Sequence, residues 1–206
     1  MVMSVKSKRK KRIILFCVFL LCLAITCVFL TKLIGEQIYP LKYTEYVEKY
    51  AEEYQVDPSF IYAVIHSESR FDPKAVSSVG ASGLMQLMPD TFDWIKSRLK
   101  DDRVLSYEKD VFDPQINIQY GTYMLSMLLD EFQDRDVAVM AYHAGRGNVS
   151  KWLKNEKYSA DGKTIHTIPY RDTATYVSHV NSAYWVYTKL YKNESGYTSD
   201  SNRKDF

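Results

Sequence analysis

Residues 13–30 read IILFCVFLLCLAITCVFL, an apolar run with no charge in it. It has about the minimum length for a bilayer-spanning helix, ~17–20 residues, and a lone segment can cross lipid only as a helix. Directly before it stand Lys6, Lys8, Arg9, Lys10, Lys11 and Arg12. Without these six cations the formal net charge falls from +2 to −4, so the globular part is mildly acidic. The cations therefore report orientation and not a nucleic-acid partner. The positive flank is expected to stay cytoplasmic, with everything after Leu30 outside. A cleaved signal peptide would show a shorter apolar core, ~7–15 residues, and a small-x-small site. No convincing Ala-x-Ala follows the run, and Ile25-Thr26 fit poorly as the approach to a lipidated Cys27. An uncleaved anchor is the preferred reading. Cys17, Cys22 and Cys27 all lie inside the run. The exported part has no cysteine, so it must rely on its own core and not on disulfides.

Beyond the anchor the pattern is helical throughout. The expected organisation is a basic cytoplasmic segment over 1–12, a transmembrane anchor over 13–34, a linker over 35–42 containing Gly35 and Pro40, one catalytic domain over 43–191, and a disordered polar tail over 192–206. Tyr43, Tyr46, Val47, Tyr50 and Tyr54 recur at helical spacing; this stripe is read as packing ahead of carbohydrate stacking. Asp57-Pro58 and Asp113-Pro114 each pair a cap with a proline at the first helical position, and Pro89 suits a first turn. Helices are expected from Pro58 to Glu68, Pro89 to about Leu99, Pro114 to about Asp130, Asp136 (as cap) to Ala144, Asn148 to Asn155, and Arg171 to Tyr191. Residues 70–82, 100–110 and 157–166 read as loops. No alternating run of strand length stands out except the short 164–168 stretch. The fold class is all-α, with about seven helices in the domain.

Glu68 is the residue that points to chemistry. Ile61, Val64 and Ile65 lie at i, i+3 and i+4 of an apolar stripe whose i+7 position is Glu68. A carboxylate there faces packed apolar side chains, which disfavour its charge, and it stands near a helix C-terminus, which disfavours it further. Both effects keep a proton on Glu68 closer to neutral pH, as a general acid requires. From the helix alone, a half-exposed helix-end Glu is the simpler alternative.

The residues that follow decide between them. Glu68-Ser69, the loop with Pro73, Ser77 and Gly80, the run Gly83-Leu84-Met85-Gln86 and then Met88-Pro89 and Thr91 resemble the catalytic domain of family 1 lytic transglycosylases. Further blocks fit in the same order: Phe112-Asp113-Pro114 with Asn117-Ile118 and Gly121, then Ala141-Tyr142-His143-Ala144-Gly145, then Ile168-Pro169-Tyr170 with Tyr176-Val177. The resemblance covers about residues 43–191 and implies a lysozyme-like α fold.

It also implies a reaction. Glu68 matches the single acid that protonates the leaving oxygen of the MurNAc–GlcNAc β-1,4 bond. The same residue then takes a proton from the C6 hydroxyl of the muramoyl sugar, closing a 1,6-anhydro ring without water. Ser77, Gly83, Gln86, Met88, Tyr142, His143, Asp172 and Tyr176 fall at positions that cradle substrate. Structural roles compete at several of them: a tight turn for Gly83, a loop amide for Gln86, core packing for Met88 and Tyr176. His143 stands where the family usually has Asn, placing a titratable ring where a neutral amide is usual. Asp172 stands where it usually has Glu, and a helix N-terminal acid is its simpler role. Asp72 is read as a turn residue and Asp90 as a helix-start residue, and with Asp93 they become suspects only if the chain is a hydrolase. His66, His166 and His179 show no ligand pattern, so no metal and no cofactor are expected.

The implied function is a membrane-anchored peptidoglycan lytic transglycosylase. The alternatives are a muramidase acting on the same bond and an inactive wall-binding scaffold. Expected partners are the glycan strands and, through the anchor, the cytoplasmic membrane, with no nucleic acid. Wall or secretion machinery is left open.

Overall fold

A computed structural model describes residues 5–191, and side chains from Lys10 onward. The expected disordered tail at 192–206 lies outside the described residues, as do residues 1–4. The chain divides into two compact units, with the division between Pro40 and Leu41.

The first unit is one helix, α1 (Val5–Ile38). It is long and apolar enough to cross a membrane, and its apolar side chains are exposed. It starts just ahead of the basic cluster and continues through Gly35, so helix replaces the first half of the expected 35–42 linker. An isolated glycine weakens a helix by only ~1 kcal/mol and does not stop this one. The helix ends where Tyr39 N–H bonds Gly35 O at 2.8 Å, just before Pro40. A residue ahead of proline is pushed out of the α region.

The second unit holds α2 (Thr44–Tyr54), α3 (Pro58–Ser69), α4 (Pro89–Leu99), α5 (Tyr107–Asp110), α6 (Pro114–Phe132), α7 (Arg135–Ala144), α8 (Arg146–Leu153) and α9 (Arg171–Leu190). The all-α expectation holds, since the described residues contain no strand beyond two isolated bridges, Val76 to Ser82 and Ser82 to Leu87. The single turn α5 interrupts what the sequence suggests is one loop. Two expected starts are borne out with their caps: Asp57 accepts from Ser59 N–H at 2.7 Å, and Asp113 from Ile116 N–H at 3.1 Å. For α7 the cap is Asp134, which accepts from Val137 N–H at 2.9 Å, and not Asp136. The α6–α7 connection is only two residues long, so the helix begins as soon as the chain has turned. Asp136 instead accepts from Asn181 of α9 at 3.0 Å.

The core explains where the site sits. Every residue from Phe60 to Ile65 is buried, so α3 runs through the interior and packs against α9. α6 packs against α2, α4 and α7 and buries Ile118, Tyr120 and Leu125 completely. The tyrosine stripe of α2 belongs to this packing: Tyr50 is buried, and Tyr54 meets Tyr123 edge-on at 5.4 Å. α3, α7 and α9 thus converge on the C-terminal end of α3, where the chain carries its acid.

Candidate active site

Glu68 lies in the last turn of α3. The helix stops one residue later because Arg70 and Phe71 both take left-handed backbone angles, φ 51° and 65°. Phe71 is buried, which anchors the reversal. Glu68 itself is half-buried, and its Oε1 accepts a hydrogen bond from the Tyr176 hydroxyl at 2.6 Å. Burial pushes its pKa up to about 7, against the opposing pull of the Tyr176 bond. Desolvation penalises the anion, and a donor to the carboxylate favours it; here the first effect wins. Among the described residues, no neighbouring carboxylate contributes to the rise.

Two tyrosines stand near this carboxyl. Tyr176, on α9, is buried; Tyr142, at the end of α7, is half-buried and donates its hydroxyl to Met85 O at 2.7 Å. Burial and the nearby Glu68 charge hold both phenols far above their usual range, so neither gives up its proton to Glu68. His143 follows Tyr142 and stacks on Tyr176, with centroids 4.5 Å apart and planes at 25°. Its Nδ1 lies 3.2 Å from the hydroxyl of Thr173, a buried residue one turn before Tyr176. Burial lowers the His143 pKa, opposed by the charge of Asp172. Asp172 is exposed in the first turn of α9 and accepts from the N–H of Thr173 at 2.9 Å.

The other side of the site is the loop between α3 and α4, and it is held by polar groups. Leu84 O accepts from the Ser69 hydroxyl at 2.8 Å. Met85 N–H donates to Asn117 Oδ1 at 2.7 Å, while Asn117 Nδ2 donates to Val111 O at 2.7 Å and Ser82 O at 3.2 Å. Asn117 is fully buried, so this one amide serves three backbone groups that water does not reach. Tyr107 adds a hydroxyl shared between Gly80 O at 2.7 Å and Leu87 O at 2.9 Å. Gly83, at φ 81°, is required twice over: a Cβ there would run into the Asn117 amide and Val111 O. A Cβ at Gly121 would strike the Met85 side chain.

Of the residues singled out from sequence, Glu68, Tyr142, His143 and Tyr176 come together, with Asp172 at their edge. Ser77 and Gln86 direct polar atoms into the loop. Ser77 Oγ accepts from Ala81 N–H at 2.9 Å, and Gln86 Nε2 donates to Ala75 O at 3.1 Å and Gly83 O at 2.9 Å. Met88 is exposed at the start of α4. Asp72, Asp90 and Asp93 are all exposed, and Asp72 accepts from Lys74 N–H at 2.9 Å as a turn residue does. Sequence reasoning missed the clamping roles of Asn117 and Tyr107 and the Thr173 contact. An amide on the buried face of α6 was the available sign of the first; the other two carry no local signal. Among the described residues, no group of three or more His, Cys, Asp or Glu is placed to hold a metal ion.

The site thus lies in an all-helical domain, with a half-buried glutamate of raised pKa bonded to Tyr176. Comparison with known proteins identifies the family. The Transglycosylase SLT domain family matches residues 45–165, and the chain belongs to that family. It is 34% identical over 158 residues to the soluble lytic murein transglycosylase of Escherichia coli K12, covering 74% of this chain and 24% of that one. It is 32% identical to the membrane-bound lytic murein transglycosylase C of Histophilus somni strain 2336, covering 62% of this chain and 38% of the relative. Among solved structures it resembles an inactive glutamate-to-glutamine mutant of the lytic transglycosylase Slt from Pseudomonas aeruginosa. That match has a TM-score of 0.67 and 32% identity, over 75% of this chain and 25% of the other. The 70 kDa soluble lytic transglycosylase of Escherichia coli matches with TM-score 0.67 and 29% identity, over 76% and 25%. The chain thus spans about a quarter of the length of these soluble relatives.

Proposed function

We propose that this chain is a membrane-anchored lytic transglycosylase that cleaves the MurNAc–GlcNAc β-1,4 bond of peptidoglycan and leaves 1,6-anhydroMurNAc ends. The observation that carries the reading is Glu68: a carboxyl pushed up to about 7 by burial, with Tyr176 on one oxygen and no second carboxylate contributing. Ordinary glycosidases flank the scissile bond with two carboxyl groups. A site with one must let the same group act twice.

The neutral acid accepts from Tyr176 on Oε1, so its own proton sits on the other oxygen. That proton goes to the leaving O4 of GlcNAc as the C1–O4 bond breaks. The resulting carboxylate keeps the Tyr176 hydrogen bond and then takes the proton of the muramoyl C6 hydroxyl, whose oxygen bonds C1. Glu68 ends protonated and no water is consumed. A pKa near 7 suits both halves, since proton donor and acceptor strength are then balanced at working pH. The loss of activity named for the Pseudomonas aeruginosa mutant, which exchanges a glutamate for glutamine, supports the assignment. We assign Ser77, Gly83, Gln86, Met88, Tyr142, His143, Asp172 and Tyr176 to the walls of the substrate groove.

Anchoring rests on α1 and on the resemblance to a membrane-bound relative. The six cations ahead of the apolar run support a cytoplasmic N-terminus with the domain outside. The deciding experiment is mass spectrometry of muropeptides released from purified wall. Anhydro ends, one water lighter than reducing ends, support the proposal; reducing ends alone make the chain a muramidase; no release leaves a binding module. Protease added to wall-stripped cells should digest the domain, and full protection would refute the outward orientation.

A further inference from the structure

We propose that His143 is a positioning residue: stacked on Tyr176, it holds the phenol on Glu68 Oε1 and so fixes which carboxyl oxygen carries the transferable proton. This rests on the reading of Glu68 as the acid.

The geometry forms a short chain of fixed contacts. Tyr176 reaches Glu68 at 2.6 Å, His143 lies over the Tyr176 ring at 4.5 Å, and Thr173 takes His143 Nδ1 at 3.2 Å. Thr173 and Tyr176 are three residues apart on α9, on neighbouring positions of one helix face. His143 arrives from α7 and bridges them. A carboxylic acid has one hydroxyl and one acceptor oxygen, and a single outside donor selects between the two arrangements. If the phenol is free to swing, Oε1 and Oε2 become equivalent and the proton is aimed correctly only part of the time. Offset stacking of two planar rings opposes that swing. The charged or titratable groups around these rings are Asp172 and Tyr176 of α9 beside His143, and Tyr142 of α7 and Tyr176 of α9 beside Glu68. His143 is exposed on its outer edge, so replacing it leaves the core intact.

The test uses the full chain in detergent, with soluble glycan chains as substrate and rates measured from pH 5 to 9. In the wild type, activity falls on the alkaline side as Glu68 ionises. In His143→Ala the loosened Tyr176 bond favours the carboxylate less, so this alkaline limb moves to higher pH. kcat should drop roughly three- to tenfold, the worth of one weakened hydrogen bond, with KM little changed. His143→Phe restores the stacked ring without a titrating group and should recover both kcat and the position of the limb. In a Tyr176→Phe background, His143→Ala should shift the limb no further. A raised KM with an unmoved limb would leave His143 with its groove-wall role alone and overturn the proposal. So would equal losses in the Ala and Phe variants, or a limb shift that persists without the Tyr176 hydroxyl. A wild type that releases no anhydro ends sinks the reading of Glu68 itself, before any His143 variant is compared.

Discussion

Glu68 stands between two walls of different make. On one side α3, α7 and α9 meet through packed apolar and aromatic side chains, and the acid is set by helices that run through the interior, with Phe60 to Ile65 of α3 and Val137 to Ala141 of α7 buried without a break. On the other side the loop between α3 and α4 buries Phe71, Leu84, Met85 and Leu87 but has no helix of its own to hold its backbone. It is stitched to its surroundings by polar groups from elsewhere in the chain: Ser69 to Leu84, Asn117 to Ser82 and Met85, Tyr142 to Met85, and Tyr107 to Gly80 and Leu87. Packing sets the protonation of the acid; hydrogen bonds set the wall it works against. The first is tolerant of small volume changes, whereas the second fails when a single buried amide is lost.

The largest effect is expected on the packed side. Glu68→Gln keeps size and polarity but cannot donate and recapture a proton. Release of anhydro ends should fall by at least ~10²-fold while circular dichroism stays unchanged. Near-normal activity in the folded variant would remove Glu68 as the acid and leave the two walls without a shared purpose.

On the stitched side the strongest test is Asn117→Ala. It strands the Met85 N–H and the Val111 carbonyl in the interior, while Ser82 O keeps the Leu87 N–H at 3.0 Å. An unpaired buried polar group costs ~1–3 kcal/mol, so the two together should lower stability by about 2 kcal/mol or more. Melting should fall by roughly 6 °C for a domain of this size. A loss below about 1 kcal/mol would mean that the loop holds itself.

These two walls differed in how far they could be read in advance. Ile61, Val64 and Ile65 mark the buried face leading to Glu68, and Asp57-Pro58 and Asp113-Pro114 mark helix starts. Such signals are local, so the sequence carries them openly. Tyr142 and Tyr176 were placed by their motifs, not by period, because nothing local tells a tyrosine which carboxyl it will meet. The stitches were mostly invisible: Asn117 acts on Met85 from 32 positions away, and Tyr107 on Gly80 from 27. Gln86 takes φ 50°, a left-handed angle that no propensity assigns to glutamine and that the bonds around it impose. Asp134 took the cap expected of Asp136 because chain reversal, not the acid's identity, decides where a helix begins.

Protonation sharpens the comparison at a similar scale. The folded state holds Glu68 at about 7, above its ordinary 4.5. A raised acid stabilises the fold below the unfolded pKa, and that contribution is lost as pH rises through the folded one. Between pH 4.5 and about 7 the loss should be on the order of 3 kcal/mol. His143, lowered by burial, acts in the opposite sense on the acidic side, since its neutral form is the one the fold prefers. The readout is therefore the difference between wild type and Glu68→Gln in denaturant midpoints across this range. The difference should favour the Gln variant increasingly as pH rises; a constant difference would show that burial does not hold the proton on.

The smallest effect, and the finest test of the stitched wall, is Tyr107→Phe. The ring packs edge-on against Phe92 at 5.8 Å, and phenylalanine keeps that contact. Only the hydroxyl is removed, together with its shared bond to Gly80 O and Leu87 O. One hydroxyl has one proton, so two short contacts amount to a single divided hydrogen bond. Tyr107 is half-buried, which lets water take over part of the lost pairing. The expected penalty is about 1 kcal/mol, within the ordinary range for one hydrogen bond. Gly80 and Leu87 flank the Ser82–Met85 segment that Asn117 holds, so the loop should loosen at its rim while its centre stays pinned. Hydrogen exchange should therefore quicken at Gly80 and Ala81 and stay slow at Met85. Equal acceleration at Met85, or a penalty matching that of Asn117→Ala, would show that the loop opens as one unit and has no graded set of stitches.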